Sequence, residues 1–218
     1  MHPRPYCVGL VLAGGLGTRM GDPGKPFLML AGRSMLDRAI CRLSPQVDQL
    51  VISANIDPAR FDAYAAPVVA DTLPGHPGPL VGILAGMRWA AGYRPDARWI
   101  ASIAADTPFF PKNLVGTLMD GSEAKGGGIT LAASASGIHP TFGLWPISLA
   151  DDLERFLLCG ANPAMLDFAD RHPRFTVLFG DMVMPSGKSL DPFFNVNTPS
   201  DAERAEGFAV ALDALEAS

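Results

Sequence analysis

An α/β fold, with a mainly parallel sheet and helices on both of its faces, is what the order of segments predicts. Short apolar runs alternate with stretches of helical periodicity along most of the chain. The first run, residues 7–13, closes on glycines as a fully buried parallel strand does. Composition agrees: of 218 residues, 48% are hydrophobic and 18% charged, ample for one packed core and too sparing of charge for long disordered tails. A single domain over 1–218 is expected.

The elements follow in order. After the strand at 7–13, residues 35–43 place apolar side chains at helical spacing and 50–54 return to a strand pattern. A short helix is predicted over 60–65, a third strand over 68–70 and an amphipathic helix over 80–91. Residues 99–104 form a fourth apolar strand that ends at Asp106-Thr107-Pro108. A helix over 111–119 would begin on Pro111, whose missing N–H costs little in a first turn. Residues 129–134 and 141–145 flank a turn containing Ser136-Gly137 and predict a hairpin. Helices at 149–158 and 164–171, then a strand at 175–179, lead to a last helix opened by Thr198 as N-cap, Pro199 and Asp201. The pattern is Rossmann-like, and ligands of such sheets sit beyond the carboxyl ends of the strands. The loops after Ala13, Ala70 and Ala104 all fall on that edge.

Several function classes drop out. The formal net charge is -5 and no Lys/Arg cluster forms a polyanion track, so nucleic acid is not a main partner. Cys7, Cys41 and Cys159 are far apart and odd in number, which argues against a disulfide framework or a zinc site and for a reducing compartment. Cys159 and the methionines read as core filler. Arg4 precedes the run at 7–13, but no small-residue cleavage site follows, and no stretch approaches the roughly 20 apolar residues of a membrane span. A cytoplasmic location without membrane contact is expected.

The chemistry concentrates between positions 12 and 25. Gly14, Gly15 and Gly17 lack Cβ atoms, so backbone N–H groups there can approach phosphate oxygens. Arg19 adds a forked cation and Lys25 a point charge. A P-loop would need Ser or Thr after the lysine, where Pro26 stands, and a dinucleotide fingerprint would need glycine at Met20. The plain alternative is a glycine-rich surface turn with incidental cations; the two cations and the preceding buried strand favour a phosphate site.

Leu12-Ala13-Gly14-Gly15, Arg19-Met20-Gly21 and Lys25 resemble the signature of the molybdenum cofactor guanylyltransferase (MobA) family of nucleotidyltransferases. The resemblance continues in family order through Gly78-Pro79-Leu80-Val81-Gly82, Asp106-Thr107-Pro108, His139-Pro140-Thr141 and Asn195-Val196-Asn197-Thr198-Pro199. It implies a nucleotidyltransferase fold and transfer of GMP from GTP to the phosphate of molybdenum-molybdopterin, with Mg²⁺ as cofactor. Leu12, Ala13, Gly14 and Gly15 match the loop against the guanine nucleotide, Lys25 the phosphate-facing lysine, and Asn55 and Asp71 nucleotide-contacting positions. For Asp71, the guanine edge and the ribose both remain open, as does a plain turn-capping role. Asp106 matches the magnesium ligand, a carboxylate as that hard ion prefers, and counts with the nucleotide-binding positions. Arg19, Lys25 and Asp106 are the implied catalytic residues; Arg19, Gly78, Gly82, Asn195 and Asn197 match the acceptor side. Alternation would put both asparagines on one side of an extended segment. His139 is read as structural or substrate-positioning, since an ionised phosphate needs no base. The resemblance also implies contact with a molybdenum-insertion protein and with molybdoenzyme chaperones.

The chain departs from the family pattern in three places. Gly24 replaces a common aspartate before the lysine, Ala161-Asn162-Pro163 stands where a basic stretch usually follows Gly160, and Ile138 precedes His139 with no arginine near. The missing cations at the last two places bear on acceptor identity and affinity. The competing readings are a cytidylyl or sugar-phosphate transferase and a catalytically silent nucleotide-binding protein. Cytidylyl relatives usually carry alanine where Gly14 stands, which favours guanine.

Overall fold

The computed structural model describes residues 6–14, 24–73, 78–159, 164–184 and 187–216. Its centre is a seven-stranded sheet in the order β5-β4-β1-β6-β8-β7-β9. β1 (Tyr6–Leu12) lies between β4 (Gln49–Ser53) and β6 (Ala97–Ala104), parallel to both, and β5 (Val68–Val69) extends the parallel half beyond β4. β8 (Gly137–Pro146) runs antiparallel between β6 and β7 (Ile129–Ser134), and β9 (Arg174–Leu178) is parallel to β7. β1 is flanked by strands reached in opposite directions along the sheet, which makes its carboxyl end the switch point where such folds bind ligands.

Helices cover both faces. On one, α1 (Met35–Leu43) and α3 (Leu114–Glu123) pack onto Cys7, Val11, Ile52 and Ile103. On the other, α2 (Pro79–Tyr93), α4 (Ala150–Cys159) and α5 (Met165–Ala169) cover Val8, Leu10, Val51 and Ile100. The β1 run is apolar on both faces because both are buried. A third cluster gathers α6 (Pro199–Glu216) with Leu30, Phe109, Met184, Leu190 and Val196. Two small ribbons join it, β2 (Met29–Leu30) with β3 (Arg33–Ser34) and β10 (Met182–Val183) with β11 (Ser189–Leu190). Arg38 ties α6 down: its guanidinium donates to both Asp213 carboxylate oxygens at 2.8 and 2.7 Å and to the Leu30 carbonyl.

The predicted elements are present, with local corrections. The helix at 60–65 is a 3-10 turn, Pro58–Phe61, capped by Asp57. The helix predicted from Pro111 begins at Leu114; Pro111 instead offers its carbonyl to the Leu114 amide in the turn before it. β8 begins at Gly137, four residues before the strand predicted from Thr141. Cys159 is exposed at the end of α4, so it fills no core; Cys7 is the buried cysteine.

Candidate active site

The carboxyl edge is assembled by backbone hydrogen bonds that step across it from strand end to strand end. Ala54 N–H donates to the Val69 carbonyl at 3.0 Å, Ala13 N–H to Ser53 at 2.9 Å, Ala105 N–H to Leu12 at 3.1 Å, and Val196 N–H to Asp106 at 3.0 Å. Each bond extends pairing one residue beyond a strand, or carries it onto the next segment. The result sets Asn55 and Asp71, then Gly14, then Asp106, then Asn195 and Asn197 in one row.

Lys25 is the centre of this row. It opens a single 3-10 turn, Lys25–Phe27, in which Pro26 presets the backbone and Phe27 packs on Phe61 with ring centroids 5.5 Å apart. From there Nζ donates to Asp106 Oδ2 at 2.6 Å and to Asn197 Oδ1 at 2.8 Å. Three residues expected in one site from motifs far apart in sequence therefore meet at one ammonium. Val196 is fully buried while Asn195 and Asn197 are exposed, which is the predicted alternation. The α6 cap orients Asn197: the Asp201 carboxylate accepts from Asn197 N at 3.1 Å and Thr198 N at 3.0 Å, while Asp201 N donates to the Thr198 hydroxyl. The Thr198 hydroxyl donating to the same carboxylate at 2.9 Å, with the two backbone amides, holds the Asp201 carboxyl below its ordinary value.

Asn55 and Asp71 lock the other end of the row. Asn55 Nδ2 donates to Asp71 Oδ2 at 2.6 Å, and Asp71 N donates back to Asn55 Oδ1 at 2.9 Å. Both lie at the surface beyond β4 and β5. Gly14 rests against the same turn; a Cβ there would stand 3.7 Å from Ala54 Cα and 3.8 Å from Asn55 N. Gly15, Gly17 and Arg19 lie outside the described residues, as do Met20, Gly21 and positions 160–163.

The two α2 glycines separate into different roles. Gly78, exposed at the N-cap, has φ +127 and ψ 168, a conformation that L side chains rarely adopt. Gly82, expected on the acceptor side, is buried on the inner face of α2. A Cβ there would stand 2.6 Å from Ser53 Oγ and 2.8 Å from Leu12 Cδ2, so the position lets the helix press against β1 and β4.

A divalent ion fits this edge in one way. Among the described residues no group of three or more His, Cys, Asp or Glu gathers to cage a metal. Asp106 Oδ2 is engaged by Lys25, while Oδ1, among the described residues, takes only a 3.4 Å contact from the Thr107 hydroxyl. One carboxylate on an open edge suits an ion that also draws on phosphate and water oxygens, as magnesium does.

Ser134, Ser136 and Asp191, which the sequence left unassigned, form a polar cluster around His139 on the β7–β8 hairpin. Their only advance signal was the neighbourhood of Asp191 and the Asn195-to-Asn197 segment.

A mainly parallel sheet with its switch point beside β1, and a lysine, a carboxylate and an asparagine converging at that edge, fit the nucleotidyltransferase class of α/β proteins. A family model described as the MobA-like NTP transferase domain matches residues 9–174. Molybdenum cofactor guanylyltransferase from Rhodopseudomonas palustris (strain BisB5) is 46% identical over 210 residues, covering 96% of this chain and 97% of that protein. In structure, the chain is similar to molybdopterin-guanine dinucleotide biosynthesis protein A from Archaeoglobus fulgidus, with TM-score 0.70, 24% identity, and 93% and 98% of the two chains covered. It is also similar in fold to a Mycobacterium tuberculosis protein crystallised as a manganese complex, with TM-score 0.67, 18% identity, and 94% and 100% covered. The chain belongs to the MobA-like NTP transferase family.

Proposed function

We propose that this protein transfers GMP from GTP to the terminal phosphate of molybdenum-molybdopterin, releasing pyrophosphate and forming the molybdopterin guanine dinucleotide cofactor. The observation that carries the reading is the meeting of Lys25, Asp106 and Asn197 on the same edge as the Leu12–Gly14 strand end. The named relatives supply the nucleotide and acceptor. The reaction runs as an in-line displacement. An acceptor phosphate oxygen forms a bond to the α-phosphorus, the α–β phosphoanhydride bond breaks, and pyrophosphate takes the electron pair. The acceptor is already ionised, so no residue needs to remove a proton.

Leu12, Ala13, Gly14 and Gly15 hold the guanine nucleotide, and Asn55 and Asp71 steady its outer side. Lys25 neutralises charge gathering on the departing pyrophosphate, with Arg19 as a second cation on the acceptor side. Gly78, Asn195 and Asn197 present the acceptor so that the two phosphates are aligned before reaction. Bound magnesium, held by Asp106 with phosphate and water oxygens, would neutralise further charge on those oxygens. The reading places the protein in the cytoplasm, in contact with a molybdenum-insertion protein and molybdoenzyme chaperones that receive the product.

Calorimetry with GTP, CTP and ATP, followed by a pyrophosphate-release assay with molybdenum-molybdopterin and Mg²⁺, tests this. GTP is expected to bind at least tenfold more tightly than CTP or ATP, with release dependent on acceptor and metal. GTP binding without release would make the chain a nucleotide-binding protein and overturn the transferase reading.

A further inference from the structure

The tip of the β7–β8 hairpin stands over the same edge. β8 pairs with β6 from Trp99↔Pro146 to Ser102↔Gly143, so its first residues overhang the end of β6 towards the Asp106 loop. There Asp191 gathers a network. Its Oδ2 accepts from the Ser136 hydroxyl at 2.6 Å and the Ser134 hydroxyl at 2.9 Å, and its Oδ1 accepts from the Phe193 amide at 2.9 Å. Ser134 Oγ also lies 2.8 Å from His139 Nε2 and 3.2 Å from the Ser136 amide.

The Ser134 and Ser136 hydroxyls also lie 2.9 Å apart, so two hydroxyl protons serve three contacts among Ser134, Ser136 and the carboxylate. Among the described residues Asp191 faces the serines and makes no hydrogen bond to His139, unlike the carboxylate of a nucleophile relay, which orients the histidine. The network is a clamp. His139 adds a stack on buried Phe193 at 4.4 Å between centroids, and Phe193 also meets Phe142 and Phe179. Burial pushes the His139 imidazole below its ordinary pKa, only partly offset by Asp191, so the neutral imidazole is its resting form. For the Asp191 carboxyl, burial is outweighed by the Ser136, Phe193 and Ser134 hydrogen bonds, which hold it low and ionised.

The clamp determines where Asn195 sits. Phe193 N is pinned by the Asp191 carboxylate, Phe194 N by the Asp191 carbonyl at 3.0 Å and Val196 N by the Asp106 carbonyl, leaving Asn195 between them. Asn197 is held separately, by Asp201 and Lys25. We infer that Ser134, His139 and Asp191 are positioning residues that fix Asn195 for the acceptor, by locking the 191–196 segment onto the β7–β8 hairpin. The kinetic part rests on the acceptor-side role proposed above for Asn195.

The test uses the full chain with Ser134→Ala, Asp191→Ala and the milder Asp191→Asn, whose carbonyl can still accept from Phe193. Amide hydrogen exchange is expected to quicken at least tenfold at residues 193–196 in Ser134→Ala and Asp191→Ala, and to stay unchanged at 25–30. With molybdenum-molybdopterin as acceptor, its KM should rise about tenfold in Asp191→Ala and less in Asp191→Asn, while GTP affinity stays within twofold. In double variants Asp191→Ala should add little to Asn195→Ala but its full effect to Asn197→Ala. Unchanged exchange at 193–196 overturns the clamp. A parallel loss of GTP affinity, or additivity with Asn195→Ala, overturns the positioning role. If the wild type ignores molybdopterin, the acceptor reading fails while the exchange measurement still decides the clamp. If Asp191→Ala does not fold, Ser134→Ala and Asp191→Asn carry both arms.

Discussion

Replacing Asp106 with alanine should move nucleotide binding and turnover in opposite directions. Lys25 Nζ rests 2.6 Å from Asp106 Oδ2, with side-chain exposures of 16% and 27%. A metal-free triphosphate must draw the ammonium away from that carboxylate. A partly exposed pair of this kind has a net worth of about 1 kcal/mol, because solvent screens it and each ion loses hydration. Removing Asp106 removes that competitor, and Asn197 still holds Lys25 at 2.8 Å. In EDTA, the variant should therefore bind GTP about fivefold more tightly, since about 1.4 kcal/mol corresponds to tenfold. With Mg²⁺ the outcome reverses: a metal contributes several kcal/mol to the transition state, so kcat should fall about a thousandfold. Calorimetry with and without EDTA, together with pyrophosphate release, reads both. Weaker GTP binding in EDTA would make Asp106 a direct nucleotide contact. Wild-type turnover with Mg²⁺ would refute the metal assignment.

Other substitutions probe the scaffold around the site. Gly82→Ala brings a methyl within 2.6 Å of Ser53 Oγ and 2.8 Å of Leu12 Cδ2. Overpacking of about 1–3 kcal/mol, against about 1 kcal/mol regained by replacing a helical glycine, predicts a net loss of up to about 2 kcal/mol in thermal unfolding, with weaker GTP binding as Leu12 shifts. Gly14→Ala meets only ordinary contacts at 3.7 Å or more, so stability should hold while the GTP-to-CTP affinity ratio in calorimetry falls. Ser102→Ala strands the fully buried Trp145 Nε1–H, which now donates to Ser102 Oγ at 2.9 Å. An unsatisfied buried donor costs about 1–3 kcal/mol, which at this size lowers Tm by about 2–4 °C per kcal/mol. For the Asp37 carboxyl, burial raises the pKa but hydrogen bonds from Tyr64 and Ser34 outweigh it, leaving the folded value low. Its stabilising contribution is therefore complete above about pH 4 and fades as pH falls through the lowered folded value. Urea unfolding from pH 5 to pH 3 should show a shallower decline for Asp37→Asn.

Local physics made much of the frame legible in advance. Residues 35–43 carry the helical spacing, and α1 spans Met35–Leu43, opened by the reciprocal cap between Ser34 and Asp37. Thr198-Pro199-Ser200-Asp201 starts α6, with the Thr198 and Asp201 side chains capping each other. The two-residue ribbons escaped notice because they are too short for alternation to register; the β2–β3 turn depends on Ala31 and Gly32 at φ 48 and 77. Pro111 misled because a proline suits both a first helical turn and the turn before it.

What the sequence determined by itself was whatever depends on neighbours a few residues away: buried strands, helix periods and caps, and the glycines after β1. Tertiary structure alone decided which distant side chains meet. Lys25 reaches Asp106 across 81 positions and Asn197 across 172. Asp191 clamps Ser134, and Gly82 faces Ser53 and Leu12 inside the fold. The reason is physical: spacing along a chain dictates local torsions and faces, while strand order in the sheet decides which carboxyl ends lie side by side.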